Sequence, residues 1–370
     1  MSESRMDRRE FMCDTAVAAA GIAASTASLG AAKPKRAAPP VNTASILNYN
    51  PDMEYRRLGR TGLMVSAVCL GGHWKRLDMM IPGLFQKGSW LSADLKNSDF
   101  VKNRADLVSR CMEGGINYID ACTGAEVQAY SAALKGRRDR MYLGYSWYEH
   151  ESRSGAWQDS VDKMMEGFEE GLKLCGLDYV DVWRITMHEQ TSKRNTEKQI
   201  EVAMTCLEKA KKQGKARFTG VSSHDRPWIA TAVAKYPQLE VICTPYTAGS
   251  KQLPTDSVFD AVKKCDVGVF GIKPFGGTSL FKGDSSPNSP TAEEDDRLAR
   301  MAIRYILCNP AITAPIPGII NIHQLDNMAK AVKERRELDE KEKADLEIAT
   351  RRMWANLPAE YHWLRDWEYV

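Results

Sequence analysis

The stretch YVDVWRITMHEQTSKRNTEKQIEVAMTCLEKAKKQGKARFTGVSS, residues 179–223, decides the fold. Its two ends, 179–186 and 216–223, are rich in β-branched and aromatic residues and nearly continuous in apolar character. That is how strands buried on both faces read. Between them Ile200, Met204, Leu207 and Ala210 recur at helical spacing, and Gly214 supplies the stop. The unit is strand, helix, strand, and the continuity of both strands predicts parallel pairing under a covering helix.

Working outward, the same alternation repeats along the chain. Strand-like runs fall at 65–72, 117–121, 141–147, 239–246, 267–275 and 311–318, giving eight with the two already named. Val161, Met164, Phe168, Leu172 and Cys175 mark another amphipathic helix. Eight strand–helix repeats predict an α/β fold closed into a (β/α)8 TIM barrel. An open doubly wound sheet is the competing architecture, but no G-x-G-x-x-G follows the first strand. The opening YRRLGRTGLMVS, 55–66, reads as a β-hairpin plugging the barrel base. Two long connections, 73–98 with Trp74, Phe85 and Trp90, and 276–291, extend the rim where barrels bind substrates.

Of 370 residues, 43% are apolar and 27% charged, as in soluble globular proteins, and the formal net charge of +3 gives no basic surface for nucleic acid. The nine cysteines include no C-x-x-C pair, which excludes a zinc ribbon or an iron–sulfur ligand set, and no metal site is expected. They read as small buried apolar groups. Residues 7–13, DRREFMC, precede an alanine-rich run from Ala16 to Ala32 and then Lys33, Lys35 and Arg36. Arg8-Arg9 followed by a mild apolar stretch resembles a twin-arginine export signal. The run is too short and too polar to hold a membrane span, and Cys13 precedes it, so no stable membrane anchor is expected. The expected division is a signal and cleavage region over 1–40, a linker over 41–54 and a barrel over 55–370. The export machinery is then a partner, and the destination is periplasmic or otherwise extracytoplasmic, reached by a chain already folded.

Seven segments occur in order: YRRLGRTGLMVSAVCLGG, GGINYID, ALKGRRDR, LCGLDYVDVW, TGVSSH, GVFGIKPFGG and IPGIINIHQLDN. Together they resemble the aldo-keto reductase family from residue 55 to about residue 340. The resemblance implies an oxidoreductase using NADP(H) without a Gly-rich phosphate loop. It places Ser222 and Ser223 at the nicotinamide amide, whose donor and acceptor a hydroxyl matches. It sets Lys273, Pro274, Phe275 and Gly276 at the pyrophosphate, where glycine lets the backbone approach. Gly318, Gln324 and Asn327 fall at the adenosine end, beside a helix N-terminus that favours a phosphate. The Gln expected on the sixth strand is Cys243.

The same resemblance implies a catalytic Asp, Tyr, Lys and His. Asp120 matches the first. Where the Tyr belongs stand Gly124 or Ala125; the Lys position carries Ser146 and the His position Thr186. Replacements nearby are His188, two residues past Thr186, and Tyr145, which alternation sets on the face opposite Ser146. Tyr130, Glu126, Lys75 and Lys273 are also within reach, and Asp120 without a Lys can pair with Arg184. The expected function is reduction or oxidation of a sugar, polyol or other small carbonyl compound with a degenerate tetrad, Asp120, His188 and Tyr145 acting. The alternative is a non-redox barrel, a ligand-binding protein or a carbohydrate lyase, that kept the fold.

Overall fold

The structure, a computed structural model, describes residues 42–151, 155–187, 194–250, 257–286 and 288–367. The proposed export leader lies outside the described residues. Residues 42–54, expected to be slack linker, are packed on the barrel base. Ile46 and Met53 are buried there, and Asn117 Nδ2 donates to the Leu47 carbonyl at 3.2 Å. Two apolar anchors in a Pro/Asn-rich stretch are enough to hold it.

A hairpin comes first: β1 (Tyr55–Arg57) pairs antiparallel with β2 (Met64–Ser66). Its turn closes the lower end of the barrel. Leu58 is buried, and Arg60 donates to the carbonyls of Cys265, Pro237 and Leu239. Gly59, at φ +48°, presses so closely that a Cβ would lie 2.2 Å from the Gly268 amide nitrogen.

The barrel strands are β3 (Leu70–Gly71), β4 (Tyr118–Ala121), β5 (Tyr142–Tyr145), β6 (Val180–Thr186), β7 (Ala216–Ser222), β8 (Val241–Pro245), β9 (Gly268–Ile272) and β10 (Ala314–Ile316). They lie side by side in chain order, all parallel. Cys69 N donates to Pro315 O at 3.3 Å and Gly71 N to Pro317 O at 2.9 Å, which closes the ring. The run 65–72, expected as one strand, is divided. Its start belongs to the hairpin and only Leu70–Gly71 joins the barrel, because Ala67 N turns back to Glu54 O.

The helices are α1 (Ser98–Gly114), α2 (Gly124–Ala133), α3 (Tyr148–Glu151), α4 (Gly155–Gln158), α5 (Val161–Cys175), α6 (Glu197–Lys212), α7 (Arg226–Lys235), α8 (Ser257–Lys264), α9 (Ala292–Leu307), α10 (Ile322–Lys333), α11 (Glu340–Ala355) and α12 (His362–Trp367). Their ends follow local chemistry. Thr196 and Gln199 form a reciprocal capping box at the start of α6, and Gly176 ends α5 in the left-handed region. None of the described helices is long and apolar enough to cross a membrane.

The core has two shells. Val65, Cys69, Tyr118, Val182, Cys243 and Phe270 fill the barrel interior, while a larger layer packs strands against helices. A third cluster, including Leu298, Met353, Trp354 and Leu364, fastens the C-terminal helices to the segment after β9. The eight described cysteines are free thiols. The rim loop after β3 is also well packed. Trp74 is fully buried, and its Nε1 donates to Trp90 O at 3.1 Å.

A candidate active site at the carboxyl ends of the strands

The carboxyl ends of the strands open into a cavity of about 520 Å3. Asp120, Arg184, Thr186 and Ser222 reach it from the strand ends, and His73, Lys75, Arg76 and Trp90 come from the loop after β3. Tyr361 and Trp363 face it from the C-terminal segment. Lys75 Nζ donates to the Tyr361 hydroxyl and lies 4.6 Å from that ring's centroid. Trp363 stacks on His224 at 4.3 Å, and His224 Nε2 is 3.3 Å from Lys273 Nζ. The tail aromatics therefore wall the cavity as well as packing the flank.

Asp120 and Arg184 form a buried ion pair, with Arg184 Nε donating to Asp120 Oδ1 at 2.8 Å. Beside it, Ser146 Oγ donates to Glu151 Oε2 at 2.5 Å and lies 3.1 Å from Thr186 Oγ1. Glu151 is buried and also accepts from Trp147 N, Trp183 Nε1 and Thr186 N at 3.0–3.1 Å. Burial pushes its carboxyl above the usual carboxylate range, and these four donors oppose that rise. One hydroxyl on a buried carboxylate, Ser146, and a second, Thr186, bonded to the first thus stand where an amine and an imidazole were expected.

Tyr145 is not in the cavity. Asp120 is in register with Gly144, and Ala121 with Tyr145, so the tyrosine takes the face opposite the pair. It is fully buried against α5, edge-on to Phe168 at 5.3 Å, and its hydroxyl has no hydrogen-bond partner among the described residues. Burial pushes its phenol well above the usual range. Tyr130 is likewise internal, donating to Gly71 O at 3.1 Å. His188 lies outside the described residues.

Of the residues expected at a nucleotide, Ser222, Lys273, Pro274, Phe275, Gly318, Gln324 and Asn327 line the cavity, and Ser223 and Gly276 do not. Ser223 is turned inward: its amide donates to Cys243 O at 2.9 Å and its Oγ accepts from Asp225 N at 3.1 Å. Gly276 backs onto Met353, and the neighbouring Gly277 and Thr278 face the space instead. Lys273 adopts φ +57°, unusual for a lysine, at the turn leaving β9. Asn321 caps α10, accepting from Gln324 N at 2.8 Å, so a helix N-terminus opens at this end. Cys243 sits fully buried in the barrel interior, where burial pushes its thiol up to about 12.

Residues 86–351 match the family model for the aldo/keto reductase family. The chain belongs to the aldo/keto reductase family. It is 24% identical over 273 residues to an uncharacterised oxidoreductase, YqkF, of Bacillus subtilis, covering 66% of this chain and 87% of that protein. Among solved structures it is similar to the aldo-keto reductase AKR11C1 of Bacillus halodurans in its holo form. There the identity is 19% and the TM-score 0.56, over 84% of this chain and 99% of that one. A Klebsiella pneumoniae aldo-keto reductase in complex with NADPH gives 17% identity and a TM-score of 0.56, over 80% and 94% of the two chains. At these identities the structures establish the barrel.

One cluster in this aldo/keto reductase escaped the sequence reading. His73, Cys122 and Glu126 each offer a donor atom, and the three lie within 4.8 Å of one another. His73 Nδ1 is 2.7 Å from Glu126 Oε1 and 3.8 Å from Cys122 Sγ. The other Glu126 oxygen accepts from Cys122 N at 2.7 Å. Burial and then the Glu126 carboxylate push the Cys122 thiol up. Cys122 and Glu126 share the short C-T-G-A-E spacing, but His73 comes from a separate strand end, so no motif connects the three. Only the register of β3 beside β4 does so.

Proposed function

We propose that the protein is an NADP(H)-dependent oxidoreductase of a sugar, polyol or other small carbonyl compound, working with a degenerate catalytic tetrad. What carries the reading is the cavity, whose lining includes seven of the nine positions expected at a nucleotide. The residues fit such a cofactor in specific ways. Ser222 offers a hydroxyl to the carboxamide, and Gly318 lines the same space with its bare α-carbon packed against the His73 carbonyl. The N-terminus of α10, opened by Asn321, favours the negative charge of a phosphate. Bound there, the cofactor supplies or accepts hydride. NADPH bound to the similar Klebsiella pneumoniae reductase is in keeping with this assignment.

The chain's own groups define the rest. Arg184 is bonded to Asp120 at the floor, and the guanidinium that fills this place is a poor source of a proton. Thr186 presents a neutral hydroxyl at the cavity, backed by the buried Ser146 hydroxyl at 3.1 Å. Among the described residues lining the cavity, the phenol that remains is Tyr361, tied to Lys75 at the outer wall. His188 keeps its candidacy as an orienting group from the loop after β6. A sugar fits the aromatic walls formed by Trp90 and Trp363, which offer flat apolar faces to ring carbons. In this reading protonation comes from a weaker donor than the family's phenol, and turnover falls accordingly, by roughly 100- to 10,000-fold.

We also propose that residues 1–40 direct export of the folded chain, on the strength of Arg8-Arg9 and the mild apolar run that follows. Two experiments test these readings. Protein purified from cells is examined for nicotinamide fluorescence and then mixed with NADPH and a panel of aldoses. Slow, sugar-dependent oxidation is expected, and no nucleotide-linked turnover with any of them would overturn the redox assignment. Residues 1–45 fused to a folded reporter should deliver it across the membrane of a host with the twin-arginine pathway. Retention of all reporter in the cytoplasm would refute the leader.

A further inference from the structure

We propose that His73, Cys122 and Glu126 bind one divalent cation of zinc type, with its fourth coordination position open to the cavity. One nitrogen, one sulfur and one carboxylate oxygen is a borderline-soft donor set suited to zinc, and three protein ligands with an open position is the pattern of catalytic zinc sites. Donors on a tetrahedral zinc lie about 3.2–3.6 Å apart, as bond lengths near 2.0–2.3 Å require. The imidazole–thiol separation of 3.8 Å and the imidazole–carboxylate separation of 2.7 Å bracket that spacing. Small side-chain rotations would gather all three.

The surroundings of the carboxylate fit a cation. Glu126 is fully buried, and its Oε1 faces the His73 imidazole, whose Nδ1 lies 2.7 Å away. That contact balances the buried charge only when the imidazole is protonated, whereas a metal ion shared by the two groups does so directly. The chain also reserves room for the carboxylate: a Cβ on Gly72 would stand 2.4 Å from Glu126 Cδ. The donors are held before any ion arrives. Cys122 N fixes the second Glu126 oxygen, and Trp90 lies against the His73 ring at 4.5 Å. His73 and Cys122 face the cavity while Glu126 stands behind them, so the open position points to the space shared with Asp120.

Such an ion gives the redox reading a means of doing without a phenol. A carbonyl oxygen seated on the open position is polarised by the metal's charge, where the family uses a proton donor. This use rests on the proposed redox function; the binding of the ion does not.

The full chain, purified without chelators, is assayed for metal by mass spectrometry. It is then stripped and titrated with Co2+ while absorption is recorded. About one equivalent of zinc as purified is expected, together with a thiolate-to-cobalt charge-transfer band that saturates at one equivalent and is abolished by zinc. In Cys122→Ser, His73→Gln and Glu126→Gln, cobalt affinity should fall at least tenfold, with thermal melts near the wild-type value for the isosteric Cys122→Ser. Metal-free protein as purified that gives no thiolate band with cobalt overturns the site. So does cobalt affinity unchanged in Cys122→Ser. NADPH binding is measured on the same stripped sample. Nucleotide binding without cobalt binding removes the metal site alone, and cobalt binding without nucleotide binding removes the redox reading alone.

Discussion

At the scale of single residues, the Asp120–Arg184 pair sets the terms of the site. Both side chains are nearly out of water, so each charge depends on the other. Arg184→Met strands a buried carboxylate, and urea denaturation should show a loss of about 3–5 kcal/mol. Equal stability would mean that Asp120 is held by something else. Tyr145 is the opposite case, a buried hydroxyl with no partner. Tyr145→Phe should leave turnover unchanged and stability equal or higher by up to about 1 kcal/mol, since no hydrogen bond is lost. A hundredfold loss of turnover would restore Tyr145 to the chemistry. The Asp120–Arg184 pairing was legible in the chain, because two charges in apolar strands of one barrel have few other partners. The face of Tyr145 was open, because parity within β5 is readable but its register against β4 is not. His73, Cys122 and Glu126 were invisible as a group for the same reason: neighbouring strands, not sequence spacing, bring them together.

Among the elements, two contacts control how the rim is held. Gly318 bridges to Gly71 where the ring closes, and a Cβ on it would be 2.5 Å from the His73 carbonyl oxygen. Gly318→Ala must push the β3 and β10 ends apart. It should cost about 1–3 kcal/mol, as overpacking does, and weaken nucleotide binding with it. Unchanged melting and unchanged affinity would show that the rim yields freely. Farther out, Arg304 of α9 is bonded to both carboxylate oxygens of Glu342 on α11, at 2.7 and 3.0 Å. Arg304 foremost, with the Asp339 backbone and Arg335, brings the Glu342 carboxyl from its ordinary 4.5 down to about 2. A depressed folded value stabilises fully above 4.5 and is lost as pH falls toward 2. Wild type should therefore melt above Glu342→Gln at neutral pH, with the gap closing across that acid window. A gap that persists in acid would deny the pairing. The helix end at Gly214 could be placed from the chain, since turn chemistry is local. The first barrel strand could not, because the 65–72 run continues through the point where the hairpin lets go.

For the molecule as a whole, the barrel followed from periodicity: eight buried strands with covering helices have few other closed arrangements. The order of segments from YRRLGRTG to IPGIINIHQ then set the positions expected at a nucleotide on one rim. The chain itself placed the long connection at the substrate rim; which of its aromatics face the space was not legible. Trp90 is far in sequence from Tyr361 and Trp363, and all three line the same cavity. If that cavity holds a dinucleotide, ligand binding must stabilise the fold. Nucleotide at a hundred times its dissociation constant should add about 2.7 kcal/mol, seen as a higher melting temperature. The most direct test excites the tryptophans at the cavity wall while NADPH, and separately NADH, is titrated into the purified full chain. The account predicts saturable quenching of Trp363 and Trp90 with energy transfer to bound NADPH, one nucleotide per chain, weakened in Gly318→Ala. Tryptophan emission that neither nucleotide alters even at millimolar concentration, with no change in melting, would contradict it.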